Sequence, residues 1–435
     1  MAWIVCSPTA PDARVLVLDG DSQASLSVVS SLGSRGVDVT VGAAAENSIG
    51  RYSRYVDREY VHPEPSERPV AFANELFDFL TRTDHFAVIP TRDDTTTVVS
   101  RNKQRLADTG THVGVEDWER FQRVANKART FAFATDLDVP TPETHAPASL
   151  ADVEAIADDV AYPVIVKSRS KHVADSHGRL YTHEVGSNDY ADSPADLLET
   201  YERLRNASEG TRNEPPLVQE CIPGQTTTTV GLAREGELLA HFQERRLRTT
   251  PASGGSSTLI RGFRDDRMLA YARTVVAEID WTGPIQVEFM WTPDGEFYLV
   301  EVNGRYWGSL PLAVASGVDV PWLHYSLLAG EKPCVPGCYR DDVVQQRLLY
   351  GDLKWLAEQL ADGNPAAIGP FLQALATTSQ VFVRPSDPLT TLAALRQAAE
   401  LGVEALQAEL RDVFPDREPP STPDDKPIQV EQGRR

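Results

Sequence analysis

The sequence predicts a mixed α/β and α+β protein built from several units, and three observations carry that prediction. Residues 1–117 alternate short apolar runs with helix-periodic ones, two β-rich stretches (228–248 and 284–302) flank a single helix, and residues 321–414 are mostly helix-forming. With 435 residues the chain is too long for one core, and a prior of roughly 150 residues per domain suggests about three units.

In the first unit, Val15–Leu18 reads as a buried strand ending at Asp19-Gly20. A helix through Leu26, Val29 and Leu32 follows, with Gly33 and Gly36 as stops, and then the strand Val37–Val41. A second round places a helix over Phe77–Leu80 and a strand over Phe86–Pro90, so residues 1–117 are expected to form a small Rossmann-like α/β domain with a parallel sheet. Its first turn, LDGDSQAS, lacks the spaced glycines of a dinucleotide fingerprint, which argues against a nicotinamide site but leaves room for a small substrate.

The next unit, residues 118–335, opens with one amphipathic helix over 118–137, ended by Val139-Pro-Thr-Pro-Glu143 because proline cannot continue it. Within it, residues 150–218 are expected to form a lid subdomain: a helix (150–159), a strand (162–167), a second helix (194–205) and a strand (216–222). A helix over 265–279 separates the two β-rich stretches. Residues 336–413 read as a mostly helical C-terminal region. The proline-rich, polar residues 414–435 bury too little to order themselves and are expected to be disordered.

The 63 acidic and 42 basic residues give a net charge of −21, which would repel a nucleic-acid duplex or an anionic membrane. Only seven lysines are present, and such an acidic, lysine-poor surface suits high salt, where screening removes self-repulsion, as in a halophilic archaeon. No apolar window approaches a membrane span, and the scattered cysteines (6, 221, 334, 338) follow no secretory leader. A reducing cytoplasm is therefore expected. Cys334 and Cys338, the one close pair, lack the further ligands of a metal site.

The stretch from Gln286 to Asn303 reads as a hairpin around Thr-Pro-Asp-Gly. If Pro293-Asp294 form the loop, Glu288 opposes Leu299, and side-chain alternation places Glu288, Glu301 and Asn303 on one face. Two carboxylates within about 4 Å repel by roughly 4 kcal/mol at an effective dielectric of 20, so a proton or a cation must intervene. Two carboxylates and an amide oxygen suit Mg²⁺, with acidic residues facing solvent as the alternative. Upstream, Lys127 and Lys167 lie at element positions facing the same cleft, where they could offset the charge of a nucleotide triphosphate.

Lys127 before VPTP, YPVIVK ending at Lys167, VQECIPG, GPIQVEF and YLVEVNGR follow one another in the order and approximate spacing of ATP-grasp ligases. The chain most resembles the carbamoyl-phosphate-synthase-like and carboxylate-amine-ligase-like members over residues 118–331, with LVLDGDSQASLSVVSSLGSRGVDV resembling the α/β domain that precedes the ATP-grasp domain in that superfamily. The resemblance implies an ATP-grasp fold in which Lys127 and Lys167 contact ATP phosphates and Gln219, Glu220, Cys221 and Ile222 hold adenine. It further implies that Glu288, Glu301 and Asn303 ligate Mg²⁺, or Mn²⁺ in its place, while Arg305 steadies the transferring phosphoryl group.

The implied reaction is attack of a small-molecule carboxylate on ATP to give an acylphosphate that an amine or related nucleophile captures. Formation of a carbamoyl or carboxyl phosphate, simple phosphotransfer and a non-catalytic ATP-binding module are the alternatives, and association of like chains is left open. Arg245–Arg248 and the following 251–258 loop are the expected acceptor region. Arg246 and Arg248 share one face there by alternation, and Arg246 is a candidate catalytic group. Two features depart from the family pattern: Thr226 stands where many members carry an acid for the ribose, and the loop after Lys167, SRSKHVADSHGRL, has only Gly178 where relatives carry a glycine-rich lid.

Overall fold

A computed structural model describes residues 13–176, 178–250, 255–384 and 386–413, with side chains to residue 402. The chain divides into two compact units, residues 1–394 and 395–435. The second is described only by helical turns, in which Arg396 and Glu400 pair one turn apart at 2.8 Å. Cys6 and the 414–435 tail lie outside the described residues.

Short strands form the first sheet, buried at its centre and exposed at its edges: β1 (Arg14–Val17), β2 (Asp38–Ala43), β3 (Arg58–Val61), β4 (Ala87–Ile89) and β5 (His112–Val113), all parallel in the order β3-β2-β1-β4-β5. Helices α1 (Gln23–Gly33), α2 (Pro69–Arg82), α3 (Asp93–Arg101) and α4 (Lys103–Ala107) complete this α/β layer. Strand direction reverses its spreading between β1 and β4, and the carboxyl ends of those two strands carry Asp19 and Thr91–Asp93.

The helix expected over 118–137 is two helices, α5 (Trp118–Ala125) and α6 (Lys127–Asp136). Asn126 between them is extended, accepts Arg129 N–H as the N-cap of α6, and bridges to Ser170. Amphipathic periodicity runs unbroken across such a break and so does not reveal it.

The region expected to form a lid holds a four-stranded antiparallel sheet made of β6 (Thr144–His145), β7 (Val164–Lys167), β10 (Tyr190–Ala191) and β11 (Leu217–Glu220). The separate hairpin β8 (His172–Ala174)–β9 (Leu180–Thr182) precedes β10. Helices α7 (Leu150–Ile156) and α8 (Pro194–Arg205) bury Val153, Leu197, Tyr201 and Leu204 against Val164, Val166 and Val218, and α9 (Glu209–Asn213) follows. Each fully buried side chain of this size contributes about 1.5–3 kcal/mol.

The largest sheet holds the two β-rich stretches as β12 (Gln225–Arg234), β13 (Glu237–Thr250), β14 (Ser256–Phe263), β15 (Gly283–Trp291) and β16 (Phe297–Asn303), with α10 (Asp266–Glu278) crossing between β14 and β15. One face packs on α10 around Trp281, Val287 and Phe289. The other joins the first domain through Val230, Phe242, Trp307 and Leu310, together with α11 (Leu310–Ala315) and α12 (Val320–Leu328). The C-terminal residues are not purely helical. β17 (Val344–Gln346) pairs with β14 and β18 (Ser379–Gln380) with β17; the helices of this region are α13 (Leu353–Ala361), α14 (Ile368–Thr377) and α15 (Pro388–Val413). The order β16-β15-β12-β13-β14-β17-β18 thus covers the β14 edge, which otherwise would present unpaired backbone groups.

Candidate active site

The β15–β16 hairpin does not have the register expected from a two-residue loop. Five residues, 292–296, connect the strands, with Thr292 N–H bonded to Glu296 O at 2.9 Å, and Trp291 pairs with Phe297. That slip alone would set Glu288 opposite Val300 and turn Glu301 to the other face. A bulge between the Glu288 and Phe289 pairs absorbs Val300 and restores the parity, so Glu288 pairs directly with Glu301 rather than with Leu299. Glu244, Thr228, Glu288 and Glu301 then form one transverse row across β13, β12, β15 and β16. Gln286 pairs with Asn303 in the row beside it.

Opposite charges of the protein itself neutralise this wall. Lys127 Nζ, set by the Asn126 break at the start of α6, lies 2.7 Å from Glu301 Oε1, and Arg246 Nη2 lies 2.9 Å from Glu288 Oε2. Asn303 Nδ2 donates to Glu301 Oε2 at 3.3 Å, and Arg305 Nη2 donates to Asn303 Oδ1 at 3.3 Å. Burial opposes ionisation of Glu301, but the Lys127 ammonium holds it down to about 2. Burial raises Glu288 above the usual carboxylate range, Glu301 adding to that rise and Arg246 opposing it. Burial, with Lys127 nearby, pushes Lys167 down to about 7, and its ammonium sits 5.6 Å from the Phe131 ring centre.

Of the segment expected around adenine, Gln219 is turned inward, donating to Thr144 Oγ1 at 2.7 Å. Glu220 exchanges backbone and side-chain bonds with Glu143: its N–H donates to Glu143 O at 2.9 Å, and its carboxylate accepts Glu143 N–H at 3.1 Å. Cys221 and Ile222 follow the strand half-buried, and Cys221 interacts electrostatically with Lys167.

Arg246 and Arg248 part company despite the expected alternation. Leu247 is an extra residue opposite β14, and beyond it Arg248 reaches Asp352 Oδ2 at 2.8 Å and stacks 4.2 Å over the Trp355 ring. Arg248 is therefore a tie to the C-terminal region, whereas Arg246 stays on the wall with Gly255 O as a second acceptor at 3.1 Å. Residues 251–254 of the expected acceptor loop lie outside the described residues, and 256–263 form β14 rather than loop.

The main addition from the structure is Asp93, at the start of α3 in the first domain. Arg305 grips its carboxylate with Nε and with Nη2 at 2.8 Å, and Lys171 Nζ reaches the same carboxylate at 3.1 Å. Burial opposes ionisation of Asp93, but Arg305 and Lys171 hold its carboxyl well below the usual range. No local motif marks Asp93, because its partners lie 78 and 212 residues away. Glu244 is a second addition. It is buried, accepts a bond from Ser309 Oγ, and its Oε2 has no hydrogen-bond partner among the described residues. Tyr306 and Trp307 are buried in the wall behind Arg305, with Tyr306 OH 2.9 Å from His324 Nδ1.

Lys167 at the end of β7 thus lies near enough to Lys127 on α6 and Glu301 on β16 for their charges to act on it. A sequence model described as "ATP-grasp in the biosynthetic pathway with Ter operon" matches residues 212–346. The large chain of carbamoyl phosphate synthase from Halobacterium salinarum is 28% identical over 63% of this chain, which spans 24% of that relative's length. Among solved structures, the biotin carboxylase domain of Hydrogenobacter thermophilus 2-oxoglutarate carboxylase, in complex with MgADP, ADP and bicarbonate, aligns with a TM-score of 0.59 at 16% identity, covering 76% of this chain and 73% of its own. The L-amino acid ligase of Bacillus licheniformis aligns with a TM-score of 0.54 at 15% identity, covering 74% and 75%. The fold of this chain is the ATP-grasp fold, preceded by an α/β domain and extended by a largely helical C-terminal region.

Proposed function

We propose that this protein is an ATP- and Mg²⁺-dependent ligase that activates a small-molecule carboxylate as an acylphosphate and transfers the acyl group to an amine or related nucleophile. The observation that carries the reading is the direct pairing of Glu288 with Glu301, flanked by Asn303 and Arg305 and faced by Lys127. This all-oxygen donor set suits a hard divalent cation, and Lys127 and Arg246 are the protein's own charges that balance it. Mg²⁺ bound by Glu288, Glu301 and Asn303 would neutralise charge on the phosphoryl oxygens.

The chain's own residues supply positioning and charge. Lys127 and Lys167 face the nucleotide phosphates, and an anion beside Lys167 restores the ammonium charge that burial weakens. Arg305 steadies the phosphoryl group as an oxygen of the acid attacks its phosphorus and ADP departs. The amine nitrogen then attacks the acyl carbon, phosphate leaves with the bonding electrons, and the nitrogen gives up a proton. Arg246, next to the acceptor loop, is placed to hold the acylphosphate once released from Glu288. The acidic, lysine-poor composition supports a high-salt working environment.

A screen of acids and amines for ADP release tests the reading. Glu301→Ala is expected to lower acid-dependent ADP release by at least about 100-fold with the fold intact, and undiminished turnover would sink the proposal. Hydroxylamine added in place of the amine should give a hydroxamate, which a simple phosphotransferase would not produce. A second reading, carboxyl-phosphate formation from bicarbonate, draws support from the 28% likeness to carbamoyl phosphate synthase. It requires ADP release with bicarbonate as the sole acid. ADP formation with any acid excludes a non-catalytic ATP-binding module.

A further inference from the structure

The glycine-poor loop after Lys167 is not an open flap in this structure. It starts with Lys127 N–H bonded to Arg169 O at 2.7 Å and the Asn126–Ser170 bridge, then folds into β8 and β9. Leu180, at the start of β9, donates its N–H to Ser66 O of the first domain at 3.1 Å and is buried among Phe72, Leu76 and Leu80. Between these two anchors stands Lys171, whose Nζ lies 3.1 Å from Asp93 Oδ2 and 3.1 Å from Glu184 Oε1.

Asp93 is the meeting point of two cations from different elements, Lys171 on the lid and Arg305 beyond the metal-type wall. A carboxylate gripped through two of its oxygens by an arginine presents the same geometry as two oxygens of a phosphoryl group. The Asp93 carboxylate therefore occupies the position that an oxyanion held by both Lys171 and Arg305 would take.

Resting on the ATP reading above, we propose that Lys171 binds the terminal phosphoryl group of the nucleotide, and that Asp93 holds Lys171 and Arg305 in place until that group displaces it. The site then takes a nucleoside triphosphate in preference to the diphosphate, because only the triphosphate carries the oxyanion that replaces the Asp93 carboxylate.

Calorimetric titration of the full chain with MgATP and with MgADP tests this. Lys171→Met should weaken MgATP binding by about tenfold or more and MgADP binding by less than about threefold, as expected for loss of one charged hydrogen bond to the terminal group. Lys171→Arg should restore most of the MgATP affinity. Asp93→Asn should tighten MgATP binding by about threefold or more and leave MgADP within about twofold, since it removes only the competing carboxylate. Equal losses for both nucleotides in Lys171→Met would make Lys171 a structural lid residue and overturn the proposal, as would unchanged or weakened MgATP binding in Asp93→Asn. Should Lys171→Met fail to fold, the Asp93→Asn titration decides alone. A wild-type chain that binds neither nucleotide defeats the ligase reading itself, whereas a wild-type chain that binds both, with the ratio unmoved in the variants, defeats only this inference.

Discussion

Arg246 and Arg248 are two residues apart on one strand, yet they sit in opposite kinds of environment. Arg246 pairs with Glu288 in a cleft where both partners keep some exposure, and its other bond goes to a backbone carbonyl. Arg248 pairs with Asp352, which is fully buried and also accepts Thr258 Oγ1 at 2.8 Å and the Gln346 side-chain amide. On the proposed ligase reading, the first pair is one that a cation and a phosphate would replace. The second is closed, with every oxygen of Asp352 used, and ties β13, β14 and the C-terminal region together. A buried ion pair marks function when its partners are exchangeable, and marks construction when they are saturated.

Removing Asp352 should give the largest loss of stability, because it leaves Arg248 buried and unpaired. Asp352→Ala is expected to cost about 3–5 kcal/mol, read from urea denaturation, while MgATP affinity of the folded fraction stays within a few-fold of wild type. A loss below about 1 kcal/mol, or a selective loss of nucleotide binding, would break the distinction between the two arginines. Glu288→Gln should do the reverse. It removes the repulsion with Glu301 while weakening the Arg246 pair, two effects of opposite sign, so the thermal midpoint should move by no more than roughly 2 °C while ADP release falls about 100-fold. A large destabilisation would reclassify Glu288 as structural.

The same contrast explains what the sequence could disclose. The parallel first sheet, the helix at 194–205 and the two β-rich stretches follow from periodicity and turn chemistry, which act within a few residues. The shared face of Glu288, Glu301 and Asn303 was also legible, though for an incomplete reason. The five-residue connection and the Val300 bulge are two one-residue deviations that cancel in parity, so the faces came out as expected while the pairing partner did not. The Asn126 break, the Leu247 bulge and the Asp93 clasp were hidden because tertiary contacts impose them. Asp93 meets Arg305 across 212 residues, and no window of local pattern reaches that far. Alternation put Arg248 on the face of Arg246 in the expected acceptor region, but alternation says which face a side chain takes, not whether a later helix will cover it.

Glu244 gives the smallest and most specific effect, and it belongs to neither class. It shares the transverse row with Glu288 and Glu301, but among the described residues its carboxylate accepts a bond only from Ser309 Oγ, and its second oxygen is buried with no hydrogen-bond partner there. Burial, with Glu288 adding, pushes its pKa up to about 8. The folded chain therefore holds this proton over a range in which the unfolded chain, with an ordinary carboxyl near 4.5, has released it. The stability contributed by the protonated form is complete below about pH 4.5 and is lost progressively as pH rises through about 8. Glutamine reproduces the protonated acid without titrating, so Glu244→Gln should match wild type near pH 4.5 and melt higher by a few degrees at pH 8, the gap widening steadily between. A pH-independent difference between the two proteins would show that Glu244 is ionised in the fold, and would move it to the exchangeable class with Glu288, as a carboxylate awaiting a cationic ligand.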